Sequence, residues 1–194
     1  GTVSSANVGT GKNVTSVNLA LANGSGSASN YSINSLTAEI TGRPVTISGS
    51  RLYDSTTTAS SSILTITSGV SGESLSLTGS GVLGAASAGT QTITNNNTLA
   101  IADGSGGLAS NYTLSGATIN VTIIPRTLNV TLSREYDGTT SVSGASLTPT
   151  FDSLQGGETL ALSGTGSVST ANVVSSKAVS LGSKSIVAGS GNPS

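Results

Sequence analysis

Residues 43–57, Arg-Pro-Val-Thr-Ile-Ser-Gly-Ser-Arg-Leu-Tyr-Asp-Ser-Thr-Thr, return without a gap at residues 126–140 as Arg-Thr-Leu-Asn-Val-Thr-Leu-Ser-Arg-Glu-Tyr-Asp-Gly-Thr-Thr, 83 positions further on. A period of that size means that one supersecondary unit is built more than once, so it has to be read before any single element. Outward from this pair, Gly72-Glu73-Ser74-Leu75-Ser76-Leu77 matches Gly157-Glu158-Thr159-Leu160-Ala161-Leu162 at an offset of 85, a drift that a two-residue loop insertion explains. Ala28-Ser29-Asn30-Tyr31-Ser32-Ile33 recurs as Ala109-Ser110-Asn111-Tyr112-Thr113-Leu114 at an offset of 81. Gly1-Thr2-Val3-Ser4-Ser5-Ala6-Asn7-Val8 returns as Gly166-Ser167-Val168-Ser169-Thr170-Ala171-Asn172-Val173 at 165, about two periods. In that register Lys12 falls on Lys177, and Gly24-Ser25-Gly26 on Gly189-Ser190-Gly191.

The repeat is therefore about 82 residues long. Residues 1–41 read as the C-terminal half of a first repeat, 42–124 as a complete central repeat and 125–194 as the N-terminal part of a third. Both ends cut through repeats, and the polypeptide is expected to continue in both directions.

Each repeat reads as short strands. Val45-Thr46-Ile47, Leu64-Thr65-Ile66, Leu75-Ser76-Leu77, Leu99-Ala100-Ile101 and Ile119-Asn120-Val121-Thr122-Ile123 alternate apolar with small or polar residues, the period of a half-buried strand. Turn signals separate them, at Asp54-Ser55, Ser71-Gly72, Asn95-Asn96-Asn97, Asp103-Gly104-Ser105-Gly106-Gly107 and Asp137-Gly138. No stretch keeps the spacing of an amphipathic helix beyond a turn. The expectation is an all-β chain of tandem small β-sandwich-like repeats, Ig-like or related, forming a rod. A repeat this small buries only about 60% of its unfolded surface, so neighbours in the array are expected to stabilise one another.

Composition agrees with thin cores. Charged residues are 8%, aromatics 3%, and Gly supplies 26 positions. With a net charge of -1 and a mean hydropathy of +0.16, the chain lacks the charge excess of a disordered polymer. Lys+Arg at 7 against Asp+Glu at 8, with no basic stripe, gives nucleic acid no electrostatic footprint. No apolar run approaches the roughly 18 residues of a spanning helix, so no membrane insertion is expected in this segment, and no export signal is visible in it. Cys is 0, which rules out disulfides and thiolate metal sites.

Candidate chemistry is sparse. His is 0, as are Cys, Met and Trp, which removes Ser-His and Cys-His nucleophiles and imidazole ligands. Asp54 with Glu73, or Asp137 with Glu158, has the composition of a glycosidase pair. Both pairs recur beside Arg51 and Arg134, however, and turn capping or an Arg-carboxylate contact accounts for them better. Asp103-Gly104-Ser105-Gly106-Gly107 offers one carboxylate where calcium wants several, so it reads as a tight turn. The four tyrosines fall in two repeated settings, Asn-Tyr at 31 and 112 and Tyr-Asp at 53 and 136. In so thin a core they are expected to be buried and hydrogen-bonded, although exposed rings would suit stacking on sugars. Asn-X-Ser/Thr triplets at Asn13, Asn23, Asn30, Asn96, Asn111, Asn120 and Asn129 carry little signal in a chain so rich in Ser and Thr. Lys12 and Lys177 are of the type that forms amide crosslinks, without a spacing that singles out a partner. No catalytic, cofactor-binding or metal-ligating residue is assigned, no cofactor is required, and the chain does not read as an enzyme.

The ordered motifs carry a resemblance. Tyr136-Asp137-Gly138-Thr139-Thr140, preceded by Pro125-Arg126-Thr127-Leu128-Asn129-Val130, resembles the YDG-type repeats of filamentous-haemagglutinin-like exoproteins. Asn7-Val8-Gly9-Thr10-Gly11-Lys12-Asn13-Val14-Thr15 followed by Asn30-Tyr31-Ser32-Ile33 looks like the second half of the same repeat. The pattern departs at Tyr53-Asp54-Ser55, which lacks the Gly, and at Asn172-Val173-Val174-Ser175-Ser176-Lys177. The resemblance implies large secreted bacterial surface proteins, many exported by two-partner secretion, acting in adhesion and biofilm matrix, with these repeats as stalk.

Three roles follow as expectations. The first is a structural stalk or fibre module whose partners are neighbouring repeats. The second is a module binding extracellular polysaccharide, matrix or a host cell surface. The third is a subunit of a homopolymeric extracellular filament, self-associating by strand complementation.

Overall fold

The computed structural model describes residues 1–15, 18, 20–144, 148–174, 177–181 and 185–188. The matches proposed at Gly189-Ser190-Gly191 and at Ser175-Ser176 lie outside the described residues. Among those described there is no α-helix, only strands and three single 3-10 turns. No helix among them is long and apolar enough to cross a membrane. The chain divides into two compact units, residues 1–51 with 56–124 and residues 52–55 with 125–194.

The first unit opens with a three-stranded antiparallel sheet of β1 (Thr2–Val3), β2 (Gly9–Thr15) and β3 (Thr37–Ile40), in the order β1-β2-β3. The central repeat follows with β4 (Arg43–Leu52), β5 (Thr58–Ser60), β6 (Leu64–Thr67), β7 (Leu75–Thr78), β8 (Ser80–Leu83), β9 (Gly89–Asn95), β10 (Ala100–Asp103) and β11 (Tyr112–Ile124). Six of these form one sheet in the order β5-β8-β9-β11-β4-β6, while β7 and β10 make a separate antiparallel ribbon.

The period-two reading of the sequence becomes period-two burial. Val45 and Ile47 on β4, and Ile119, Val121 and Ile123 on β11, are buried, while the residues alternating with them are exposed. Val45, Ile47, Tyr112 and Ile119 form the core cluster, and Leu75, Leu77 and Ile101 of the ribbon pack against it. The ribbon thus covers one face of the six-stranded sheet. Burying each such aliphatic side chain stabilises by about 1.5–3 kcal/mol, which places most of the repeat's stability on a few residues.

The second unit repeats these elements as β12 (Val130–Ser133), β13 (Ser141–Ser143), β14 (Thr148–Phe151), β15 (Leu160–Ser163), β16 (Thr165–Val168), β17 (Val179–Leu181) and β18 (Ser185–Ala188). Pairing is copied residue for residue. Ile47 faces Ile66 as Val130 faces Phe151, Ala59 faces Gly81 as Val142 faces Gly166, and Leu77 faces Ile101 as Leu162 faces Ile186. The two-residue insertion therefore sits between Ser143 and Thr150. Here the strands form three sheets, β12-β14, β13-β16-β17 and β15-β18.

Close strand connections explain one recurrent glycine. Gly79, between β7 and β8, has φ 77, and a Cβ there would lie 2.0 Å from the Thr98 carbonyl oxygen. Gly164 holds the matching place with φ 85. Only glycine meets both the left-handed backbone and the close approach.

Candidate functional site

The turn that follows β12 is organised by one arginine. Asp137 Oδ1 accepts from the Thr139 backbone N–H at 2.9 Å and from the Thr139 hydroxyl at 2.9 Å, an Asx-type closure. Arg134 Nη1 donates to Asp137 Oδ2 at 2.5 Å and to the Ser141 carbonyl at 2.9 Å, while Nη2 donates to the Thr139 carbonyl at 2.5 Å. The Thr139 N–H and hydroxyl, helped by Arg134, hold the Asp137 carboxyl below the usual carboxylate range. The contact expected between Arg134 and Asp137 is thus made. In the central repeat Arg51 Nη2 likewise donates to the Thr56 carbonyl, the counterpart of Thr139.

The missing glycine changes the residue without changing the turn. Gly138 has φ 73 and Ser55, in the same place, has φ 61. A side chain in this left-handed region costs roughly 1–2 kcal/mol, so Ser55 is held there by its surroundings.

Tyrosine burial corrects the sequence expectation. Tyr112 is buried at 8% exposure and Tyr53 is half-buried, but Tyr31 is 71% and Tyr136 66% exposed. The reason is the setting of each ring. Tyr112 is enclosed because β4, β6 and the β7–β10 ribbon surround it. Tyr31 belongs to residues 1–41, where the described strands are β1, β2 and β3, and none of these is a counterpart of β4, β6 or the ribbon.

The two covered rings meet a carboxylate. The Tyr112 hydroxyl donates to Glu73 Oε2 and the Tyr53 hydroxyl to Glu158 Oε1, and Glu73 and Glu158 are equivalent residues. Each phenol is pushed above its usual pKa, first by this hydrogen bond and then by burial, because ionisation would set two anions together. Equivalent arginines attend both. Arg126 Nε donates to the Tyr53 carbonyl at 2.6 Å, and the Arg43 guanidinium, lying over Gly69, acts through its charge on Tyr112. Ser68, buried, donates to the Glu73 carbonyl at 3.0 Å and so braces the turn carrying Glu73. The arginines were not singled out from the sequence, although their recurrence in a chain with 8% charged residues was the available signal.

Asn111 adds a contact that no motif announced. Its Oδ1 accepts from the Val8 N–H at 2.9 Å and its Nδ2 donates to Asn7 Oδ1 at 3.0 Å, so the 3-10 turn Ala109–Asn111 ties residues 7 and 8 into the first unit. The remaining candidates resolve into local structure. Asp103 Oδ1 accepts from the Ala109 N–H at 2.7 Å, as a turn residue does. Lys177 Nζ donates to the Thr170 and Asn172 carbonyls, so its ammonium rests on backbone oxygens. The carboxylates considered as a catalytic pair have separate partners, Asp137 with Arg134 and Glu158 with Tyr53. Among the described residues no three His, Cys, Asp or Glu side chains gather as metal ligands would.

All-β repeats with a Tyr-Asp-Gly turn define a repeat class. The YDG domain matches residues 37–121 and again 122–192, and the chain belongs to that family. No curated protein and no solved structure matches it. The change from one YDG domain to the next, at residues 121 and 122, falls inside β11.

Proposed function

We propose that this chain is a structural stalk or fibre module, without catalysis, of a large extracellular bacterial surface adhesin or biofilm-matrix protein of the filamentous-haemagglutinin-like type. The observation that carries the reading is the tandem succession of two YDG domains, over residues 37–121 and 122–192. The two matches abut in sequence with no residue between them, and each domain brings its own strands. Tandem domains in one chain take a pull in series, as a stalk built by repetition does. Two-partner secretion and attachment to the cell surface belong to the same proposal, on the resemblance of the motifs.

Stretching single molecules of the chain tests it. Cooperative unfolding events, each releasing roughly 300 Å for a domain of this length, are expected. Smooth extension without such events would remove the stalk reading. The exposure of Tyr31 and Tyr136 favours a second reading, binding of extracellular polysaccharide through ring stacking. In that case Tyr31→Ala with Tyr136→Ala would abolish retention on the polysaccharide while leaving the unfolding midpoint in place.

A further inference from the structure

Leu52–Ser55 lie in sequence within the YDG domain at 37–121, yet they belong to the second compact unit, whose other residues are Pro125–Ser194. Tyr53 is the residue that attaches them. Its hydroxyl reaches Glu158 and its carbonyl takes the Arg126 N–H, both from the YDG domain at 122–192. We infer that the Tyr-Asp-Gly turn is the coupling element of the array: its tyrosine leaves its own repeat and docks on the Arg-Glu pair of the repeat that follows.

Three further observations fit this assignment. The base of the turn is closed within its own repeat, by Arg51 on the Thr56 carbonyl and by Arg134 on the Thr139 carbonyl, so the loop is shaped before any docking. The same loop in the YDG domain at 122–192 presents Tyr136 to solvent, where its ring is accessible to a partner. The receptor recurs as well, with Arg43 and Glu73 standing in the central repeat where Arg126 and Glu158 stand in the next. Glu73 already accepts the Tyr112 hydroxyl, but a carboxylate has about four acceptor sites and takes a second phenol without losing the first. The partner that Tyr136 fits is therefore another YDG repeat carrying this Arg-Glu pair.

The inference rests on reading the chain as a tandem array, but its test is independent of load bearing. Amide hydrogen exchange is measured on the full 194-residue chain for Tyr53→Phe, Glu158→Ala and the double variant, with Tyr112→Phe as a control. Tyr53→Phe should speed exchange across β12 to β16 by about tenfold while leaving β7 and β10 unchanged, the size expected for loss of one hydrogen bond to a charged group. The double variant should add nothing to the larger single effect, since both remove one interaction. Tyr112→Phe should do the reverse, acting on β7 and β10. Unchanged exchange across β12 to β16 in Tyr53→Phe, or effects confined to the central repeat, or additive effects in the double variant, would each overturn the latch. Failure of the stalk reading would show instead in the stretching experiment, with the exchange pattern intact.

Discussion

The central repeat and the one after it share their strands, their pairing register and their turn chemistry, yet they differ in how much they bury. Ile47 is 1% exposed while its counterpart Val130 is half-buried, and Leu83 at 2% corresponds to a half-buried Val168. The difference is β11. In the central repeat it stands between β9 and β4 and makes one six-stranded sheet. Among the described residues of the second unit no strand joins β17 to β12, and the same elements remain as separate small sheets. An alternating sequence therefore selects which face of a strand is apolar, but the closing strand decides whether that face leaves water. Where closure is not needed the two copies agree, as Ala59 at 0% and Val142 at 4% exposure illustrate.

The largest expected effect tests this contrast directly. Ile47→Ala should destabilise the first unit by about 2–5 kcal/mol, whereas Val130→Ala should cost about 1 kcal/mol or less in the second. Chemical denaturation followed by probes in each unit reads both. Equal losses would mean that burial in the two repeats is the same in solution and would break the comparison.

A second, intermediate effect concerns alkaline pH. The Tyr112 phenol has a raised pKa in the folded state, so its contribution is fully present below the unfolded value near about 10 and is lost as pH rises through the folded value. Stability of the first unit should fall above about pH 10, and Tyr112→Phe should flatten that fall. A wild-type-like alkaline decline in Tyr112→Phe would mean that the Tyr112 contact with Glu73 is not its cause.

Repeat length, strand positions, turn sites and the contact of Arg134 with Asp137 were legible because each depends on residues close in sequence or repeated at a fixed period. Tyrosine burial was not, since Tyr31 and Tyr112 share a local motif and differ only in which distant strands surround them. The bond between Asn111 and Asn7 spans 104 positions and has no copy among the described residues to flag it. The Tyr53 contact with Glu158 was hidden for a different reason. Both residues were visible as recurring, but recurrence suggests pairing within a repeat, and this pairing crosses from one YDG domain into the next.

The smallest expected effect sharpens the comparison of the two turns. Ser55→Gly should stabilise its turn by about 0.5–1 kcal/mol, because Ser55 occupies the left-handed region that Gly138 occupies freely. Gly138→Ser should cost a similar amount in the other copy. A loss on Ser55→Gly, read by the same denaturation midpoints, would mean that the serine side chain contributes more than its backbone strain takes away.

The position of β11 also sets a clock. In the central repeat the first strand, β4, lies beside the last, β11, so the sheet closes only after nearly the whole repeat is available. At synthesis rates of about 5–20 residues per second, one repeat takes roughly 4–17 s to emerge, and during that interval its apolar face has no closing partner. Non-local strand pairing of this kind is also intrinsically slow. A chain of many such repeats therefore lengthens as a succession of unfinished sheets, each waiting for its own end, with only the newest one open at any moment.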